Sequence, residues 1–205
     1  MKFEQVFVGC EGNFYQSNGS VWILNDGVSY EYQNNPIGAI VQSLFVHNNQ
    51  LFVTVNGSHA IEVFNIEESN LEHVLSINTY SSSPREMMVY GESLYFSNWY
   101  SADIKVIDLN SWEIIDEILM PGLPEDIVLL DGLLYVSITM NSDWTDGNNV
   151  VSINPDDNAI VEIYDVGEGP GDMVVHNDEI YIFRTYYDEN WNAFYGTSKI
   201  NQSGE

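Results

Sequence analysis

Short apolar runs, each closed by turn residues, recur along the whole chain, and no stretch carries the 3.6-residue period of an amphipathic helix. The clearest unit runs from Pro84 to Met120. Pro84 to Tyr90 is followed by the pair Gly91-Glu92, then by Leu94-Tyr95-Phe96-Ser97. A polar and aromatic loop, Asn98 to Asp103, leads to Ile104-Lys105-Val106-Ile107-Asp108, and Trp112 to Met120 ends the unit. These are four strands of a meander. Aligning the other runs on the aromatic of the second strand gives Phe7, Phe52, Tyr95, Tyr135 and Tyr181, at intervals of 45, 43, 40 and 46 residues. A proline stands eleven residues ahead of three of them, at Pro84, Pro124 and Pro170, with Val41 at the matching place before Phe52. Asn48-Asn49, Gly91-Glu92, Asp131-Gly132 and Asn177-Asp178 join first to second strands, and such pairs tolerate the positive φ that tight hairpins need.

A period of forty-odd residues with four strands per unit is that of propeller blades. An isolated blade leaves both apolar faces in water; stacking on neighbours around an axis buries them. Each buried Leu, Ile, Val or Phe then contributes roughly 1.5–3 kcal/mol. The expected fold is an all-β propeller of four-stranded antiparallel blades in a single domain, residues 1–205, with repeats at about 4–33, 39–79, 84–120, 124–166 and 170–205. The ends do not match. The first repeat has second, third and fourth strands but no first, and the last has first and second strands with a third near Gly196 to Asn201. The expectation is a piece of a longer propeller, or one that closes against another chain and self-associates through open edges and bare faces.

Charge narrows the partners. Thirty-one acidic residues face five basic ones, a net charge of −26. Nucleic acid and anionic membrane surfaces both require Lys and Arg clusters that this chain lacks. No segment reaches the roughly 20 apolar residues of a membrane helix. Cys10, the one cysteine, has no internal partner, and only Val6 to Val8 precede it as an apolar run, too short for the core of a leader.

The repeat resembles the YVTN-type, YncE-like bacterial β-propellers. Leu94-Tyr95-Phe96-Ser97 with Ile104-Lys105-Val106-Ile107-Asp108 carries the resemblance best, and Leu134-Tyr135-Val136-Ser137 with Val150-Val151-Ser152-Ile153-Asn154 next. Glu11-Gly12-Asn13-Phe14 followed by Asn18-Gly19-Ser20-Val21 is similar to the opening of a related group of surface-lipoprotein propellers. The resemblance implies an exported, non-enzymatic, seven-bladed protein of the cell surface, in a group where some members capture cobalamin. Blade motifs specify fold more closely than function.

Candidate chemistry lies in the loops after the second strands, which share one face of a propeller. Trp99, Tyr100, Trp144, Tyr187 and Trp191, with Arg85, are the expected ligand-binding residues. The stretches Asn141 to Gly147 and Tyr186 to Tyr195 are expected as the longest loops, and long loops in compact domains often carry function. Exposed rings beside amides and carboxylates suit a sugar ring or a macrocycle; the plainer alternative is that the rings pack the loops onto neighbouring blades. Glu86, Asp126 and Asp172 each follow a blade proline by two residues. They either ring the channel mouth as oxygen ligands for calcium or accept hydrogen bonds from nearby backbone N–H groups. The segment Asp143 to Asn149 has calcium-loop composition, but Gly147 is misplaced for EF-hand spacing. His47, His59, His73 and His176 lack ligand spacing, and no nucleophile or phosphate-loop motif is present. The functional expectation is a non-catalytic, extracytoplasmic binding scaffold without a cofactor, for a corrinoid, a glycan-like molecule or a partner protein. The alternative is a calcium-dependent propeller hydrolase or lyase.

Overall fold

The computed structural model describes residues 5–68 and 70–201; residue 4, residue 69 and residues 202–205, which the expected first, second and fifth repeats include, lie outside the described residues. The chain divides into two compact units, Met1–Met87 and Met88–Glu205. In the first, β1 (Gln5–Cys10), β2 (Ser20–Asn25) and β3 (Val28–Glu31) make a three-stranded blade in that order. β4 (Val41–His47), β5 (Gln50–Val55), β6 (Ala60–Ile66) and β7 (Leu71–Asn78) make a four-stranded one. The strand β8 (Pro84–Tyr90), in which the division falls, opens the third blade. β9 (Ser93–Asn98), β10 (Asp103–Asp108) and β11 (Glu113–Leu119) complete it. The second unit continues with β12 (Leu123–Leu130), β13 (Leu133–Met140), β14 (Asp146–Asn154) and β15 (Ala159–Asp165). Its last blade is β16 (Pro170–His176), β17 (Glu179–Tyr187) and β18 (Ala193–Ile200). The blades are antiparallel meanders, five in number, as the forty-odd-residue period requires.

Burial explains why the second strands read as unbroken apolar runs. In β5, β9 and β13 every residue from Leu51 to Val55, Leu94 to Asn98 and Leu134 to Ile138 is buried, and for β13 the two faces are covered by blades three and five. In the first unit Val21 and Ile23 of blade one pack with Leu51, Val53 and Phe64 of blade two. In the second unit Ile104 and Val106 of blade three join Ile127, Leu134 and Ile138 of blade four. Tyr135 and Val150 of blade four join Met173, Ile180 and Ile182 of blade five. The terminal blades alternate instead. Ile180 and Ile182 are fully buried, while Phe183 is 51% exposed and Val174 nearly as much; Val6 and Val8 are exposed in the same way on blade one.

The serine that closes the Leu-Tyr-x-Ser motif has a defined task. Ser97 Oγ donates to the Glu125 carbonyl in the next blade, and Thr54 Oγ1 and Ser43 Oγ donate to the Arg85 carbonyl at 2.9 and 2.8 Å. A hydroxyl thus donates to a part-buried carbonyl across the blade junction. Replacing Ser97 by Ala removes that hydrogen bond, so urea unfolding is expected to show a loss of about 0.5–1.5 kcal/mol.

Candidate functional site

Four second-to-third-strand turns share one geometry. The fourth residue of each, His59, Ala102, Trp144 and Trp191, has left-handed backbone with φ between 51° and 66°. Its N–H donates to the carbonyl of the first: His59 to Asn56, Ala102 to Trp99, Trp144 to Asn141 and Trp191 to Asp188, at 2.9–3.3 Å. Glycine or asparagine fits such a position without strain, whereas a bulky side chain costs about 1–3 kcal/mol. Blades four and five therefore place an indole where the turn itself favours something smaller.

Polar side chains, not the indoles, hold these two turns. Asp143 Oδ1 accepts from both N–H and Oγ1 of Thr145, and Asn141 Nδ2 donates to Thr145 Oγ1 and to the Asp146 carbonyl. Asp188 Oδ1 accepts from the N–H groups of Asn190 and Asn192, and its Oδ2 from Asn192 Nδ2. These bonds, from Thr145 and from Asn192 above all, hold both carboxyls below the usual range and keep them ionised. The same chemistry appears in both sequences, Asn141-Ser142-Asp143-Trp144-Thr145 and Asp188-Glu189-Asn190-Trp191-Asn192. Trp112 ends the turn between β10 and β11 with φ 62°, so tryptophan at a left-handed position is not confined to this site. What distinguishes Trp144 and Trp191 is a shared cleft.

That cleft has a volume of about 560 Å³ and is lined by Met140, Trp144, Thr145, Asp146, Tyr187, Asp188, Glu189 and Trp191. Tyr187 and Trp191 rings lie 6.1 Å apart between centroids at 53°, and Trp99 meets Trp144 edge to face at 6.1 Å and 77°. The Tyr187 N–H donates to Asp146 Oδ2 at 3.2 Å and ties the two turns together. Trp144 is 58% and Trp191 82% exposed, although rings of this size are as a rule highly buried. In the same hairpin Tyr186 stacks on Phe194 with centroids 5.6 Å apart, and the Arg184 guanidinium lies over Tyr186 at the same distance.

Of the expected ligand residues, Trp144, Tyr187 and Trp191 line this cleft, and Trp99 abuts it through Trp144. Tyr100 stands beside Trp99 on the blade-three turn, exposed and outside the lining. Arg85 belongs to the first unit, where its Nη1 donates to Gln42 Oε1 at 2.8 Å. The expectation of long loops needs correction. β14 begins at Asp146, while β17 runs to Tyr187 and β18 starts at Ala193, so the turns proper are only residues 141–145 and 188–192. Gly147 lies within β14, where a Cβ would run into the Ile138 carbonyl; the close approach, not a calcium loop, requires glycine there.

The acidic series looks different. Glu86 stands on β8 in the first unit, Asp126 on β12 and Asp172, exposed, on β16. Asp126 is largely buried: its Oδ1 accepts from its neighbour's Ile127 N–H at 2.7 Å, and its Oδ2 from Met173 N–H of blade five at 2.6 Å. Burial raises its pKa, those two donors oppose the rise, and the charges of Asp172 and Glu125 add to it. Asp126 thus joins two blades as a backbone acceptor. Among the described residues no three His, Cys, Asp or Glu side chains converge as a metal-ligand set.

His73 has a partner that spacing did not reveal: its Nε2 meets Glu62 Oε2 at 2.7 Å, and Ser76 Oγ donates to the same oxygen at 2.6 Å. Ser76 Oγ also lies 3.3 Å from His73 Nε2, but that is the nitrogen the carboxylate already engages, so the trio lacks the arrangement of a hydrolase, in which serine and carboxylate take opposite ring nitrogens.

No known family model and no curated protein matches the chain, so no match is specific to the YVTN-type family. Solved structures do match. The WD40 domain of Pan2 from Neurospora crassa is similar over 98% of this chain and 60% of its own, at 13% identity and TM-score 0.71. Sqt1 of Saccharomyces cerevisiae is similar over 94% of this chain and 58% of its own, at 10% identity and TM-score 0.68. A putative 6-phosphogluconolactonase from Bacteroides uniformis is similar over 95% of this chain and 66% of its own, at 15% identity and TM-score 0.64. The chain thus spans less than two thirds of the length of each of these chains. At such identities the likeness shows the fold and nothing finer: the fold is that of a β-propeller, with five, mainly four-stranded, blades among the described residues.

Proposed function

We propose that this β-propeller is a non-catalytic binding protein whose ligand seats between the turns of blades four and five. The observation that carries the reading is the convergence of Trp144, Tyr187 and Trp191 on one cleft, with Trp99 set against Trp144. Ring faces at this level of exposure suit a flat, partly apolar ligand, a glycan-like ring or a corrinoid-type macrocycle, because they bury large area at small entropic cost. Membership of the YVTN-type group, and with it an extracytoplasmic location, is proposed on the blade motifs alone; cell fractionation that finds the protein only in the cytoplasm removes the location. The calcium-dependent alternative draws no support from Asp126, whose two carboxylate oxygens serve backbone donors.

Titrating the intact chain with glycans, cobalamin and small amphiphiles while following tryptophan fluorescence tests the cleft. A ligand is expected to perturb the signal, and Trp191→Ala to weaken its binding at least ~10-fold, a loss of about 1.4 kcal/mol. If no probe of any class perturbs the tryptophans, the cleft is not a ligand site.

A second reading, self-association, is favoured by the half-exposed Phe183 and Val174 on blade five and by Val6 and Val8 on blade one. Sedimentation at raised salt is expected to show association that Phe183→Glu reduces. Monomers at every concentration would remove this reading.

A further inference from the structure

We propose that the cleft between the Trp144 and Trp191 turns selects a small organic cation, an alkylated ammonium group, over neutral ligands of the same shape. The inference rests on the reading of that cleft as a ligand site and names the chemistry it takes.

Three properties of the lining point the same way. Its apolar part consists of three aromatic residues and a thioether, Trp144, Tyr187, Trp191 and Met140, and the face of an aromatic ring is the negative pole of its quadrupole. Its charged part is wholly acidic, Asp146, Asp188 and Glu189, with no Lys, Arg or His among the lining residues. Around it the whole molecule carries a charge of −26, which raises the local concentration of cations and repels anions.

The carboxylates are also committed in a way that separates candidate ligands. Asp188 spends both oxygens on its own turn and Asp146 Oδ2 on the Tyr187 N–H. They supply negative field more than free acceptor positions. A sugar can stack on the rings, but these carboxylates add less for its neutral hydroxyls than for a positive charge. A compact metal cation needs converging oxygens, and no set of three acidic, histidine or cysteine side chains converges among the described residues. A cation that is bulky, weakly hydrated and satisfied by field and π faces fits what is left. Alkylated ammonium has those properties.

The test uses the intact chain, with choline and tetramethylammonium as cations and 3,3-dimethylbutan-1-ol as the neutral isostere of choline. Isothermal titration and indole N–H resonances report binding. Choline is expected to bind at least ~10-fold more tightly than the isostere, in line with the attraction of a cation to several ring faces, and to weaken as salt rises. Trp144→Gly and Trp191→Gly each abolish the preference, and because glycine suits their left-handed backbone the unfolding midpoint is expected to hold or rise. Trp112→Gly, in a turn away from the lining, leaves choline binding unchanged. Glu189→Gln reduces choline affinity and not that of the isostere. Equal binding of choline and its isostere overturns the inference, as does binding of glycan or cobalamin without choline; both leave the cleft as a ligand site. Silence of every probe removes the two together.

Discussion

Replacing Lys105 by Met is expected to lower folding stability by about 3–5 kcal/mol, the cost of stranding a buried partner charge. Lys105 is one of five basic residues in the chain, and its side chain is only 6% exposed. Its ammonium lies 2.9 Å from Asp103 Oδ2 and 2.6 Å from Glu117 Oε1. Glu117 is well exposed and can return to water, but Asp103, 3% exposed, cannot. Burial alone would lower the lysine pKa; the bonds it donates to Glu117 and Asp103 outweigh that and raise the value. Stability from this raised group is therefore complete below the unfolded lysine value near 10.4 and is lost as pH rises through the folded value, so alkaline unfolding should lose its Lys105 component in the variant. Asp103 also accepts from Asn98 Nδ2 and Ser101 Oγ, which brace the turn that sets Trp99 against Trp144. Chemical denaturation gives the magnitude, and the double variant Asp103→Asn with Lys105→Met should recover much of the loss. A single variant within 1 kcal/mol of wild type would mean that the pair is not buried in solution.

Lys105 also marks where the sequence was legible and where it was not. The blade period, the strand runs and the convergence of Trp144, Tyr187 and Trp191 follow from turn spacing, because strands of fixed length between tight turns leave little freedom in where their ends arrive. Which residues within a strand are buried did not follow. In β10 both faces are covered, so Ile104-Lys105-Val106 gives no inside-outside alternation from which a buried ammonium could be read. The loops around Trp144 and Trp191 looked longer than they are because Asp146, Gly147 and Tyr186 have turn-like or loop-like surroundings yet lie in strands extended by cross-strand pairing. The two turns share a pattern of an Asn or Asp, one residue, a further Asn or Asp, then Trp, at 141–144 and at 188–191. Tryptophan runs against the small-residue preference of a left-handed position, so propensity hides a turn that the polar residues define.

Asp126→Ala is expected to destabilise by about 1–3 kcal/mol, because it leaves the Met173 N–H, bonded to Asp126 Oδ2 at 2.6 Å, without an acceptor at the junction of blades four and five. Asp126→Asn should cost less, since the amide keeps one oxygen, but it turns an NH2 toward one of two N–H donors. The two variants also separate the pH terms. The Asp126 pKa is raised, first by burial, so its contribution is complete below the unfolded aspartate value and is lost as pH rises through the folded one. Asp108, Asp143, Asp188 and Glu179 behave oppositely: bonds from Ser111, Thr145, Asn192 and Lys199 lower them, and their stabilisation disappears as pH falls through the lowered values. Relief of the −26 self-repulsion acts with Asp126 on mild acidification. Wild-type stability should therefore rise from pH 7 toward the upper edge of the carboxylate range and then fall steeply below it. In Asp126→Asn the rise should be shallower and the fall unchanged. Parallel profiles for the two proteins would show that Asp126 is solvated, and the acceptor role at the blade junction would then have to be abandoned.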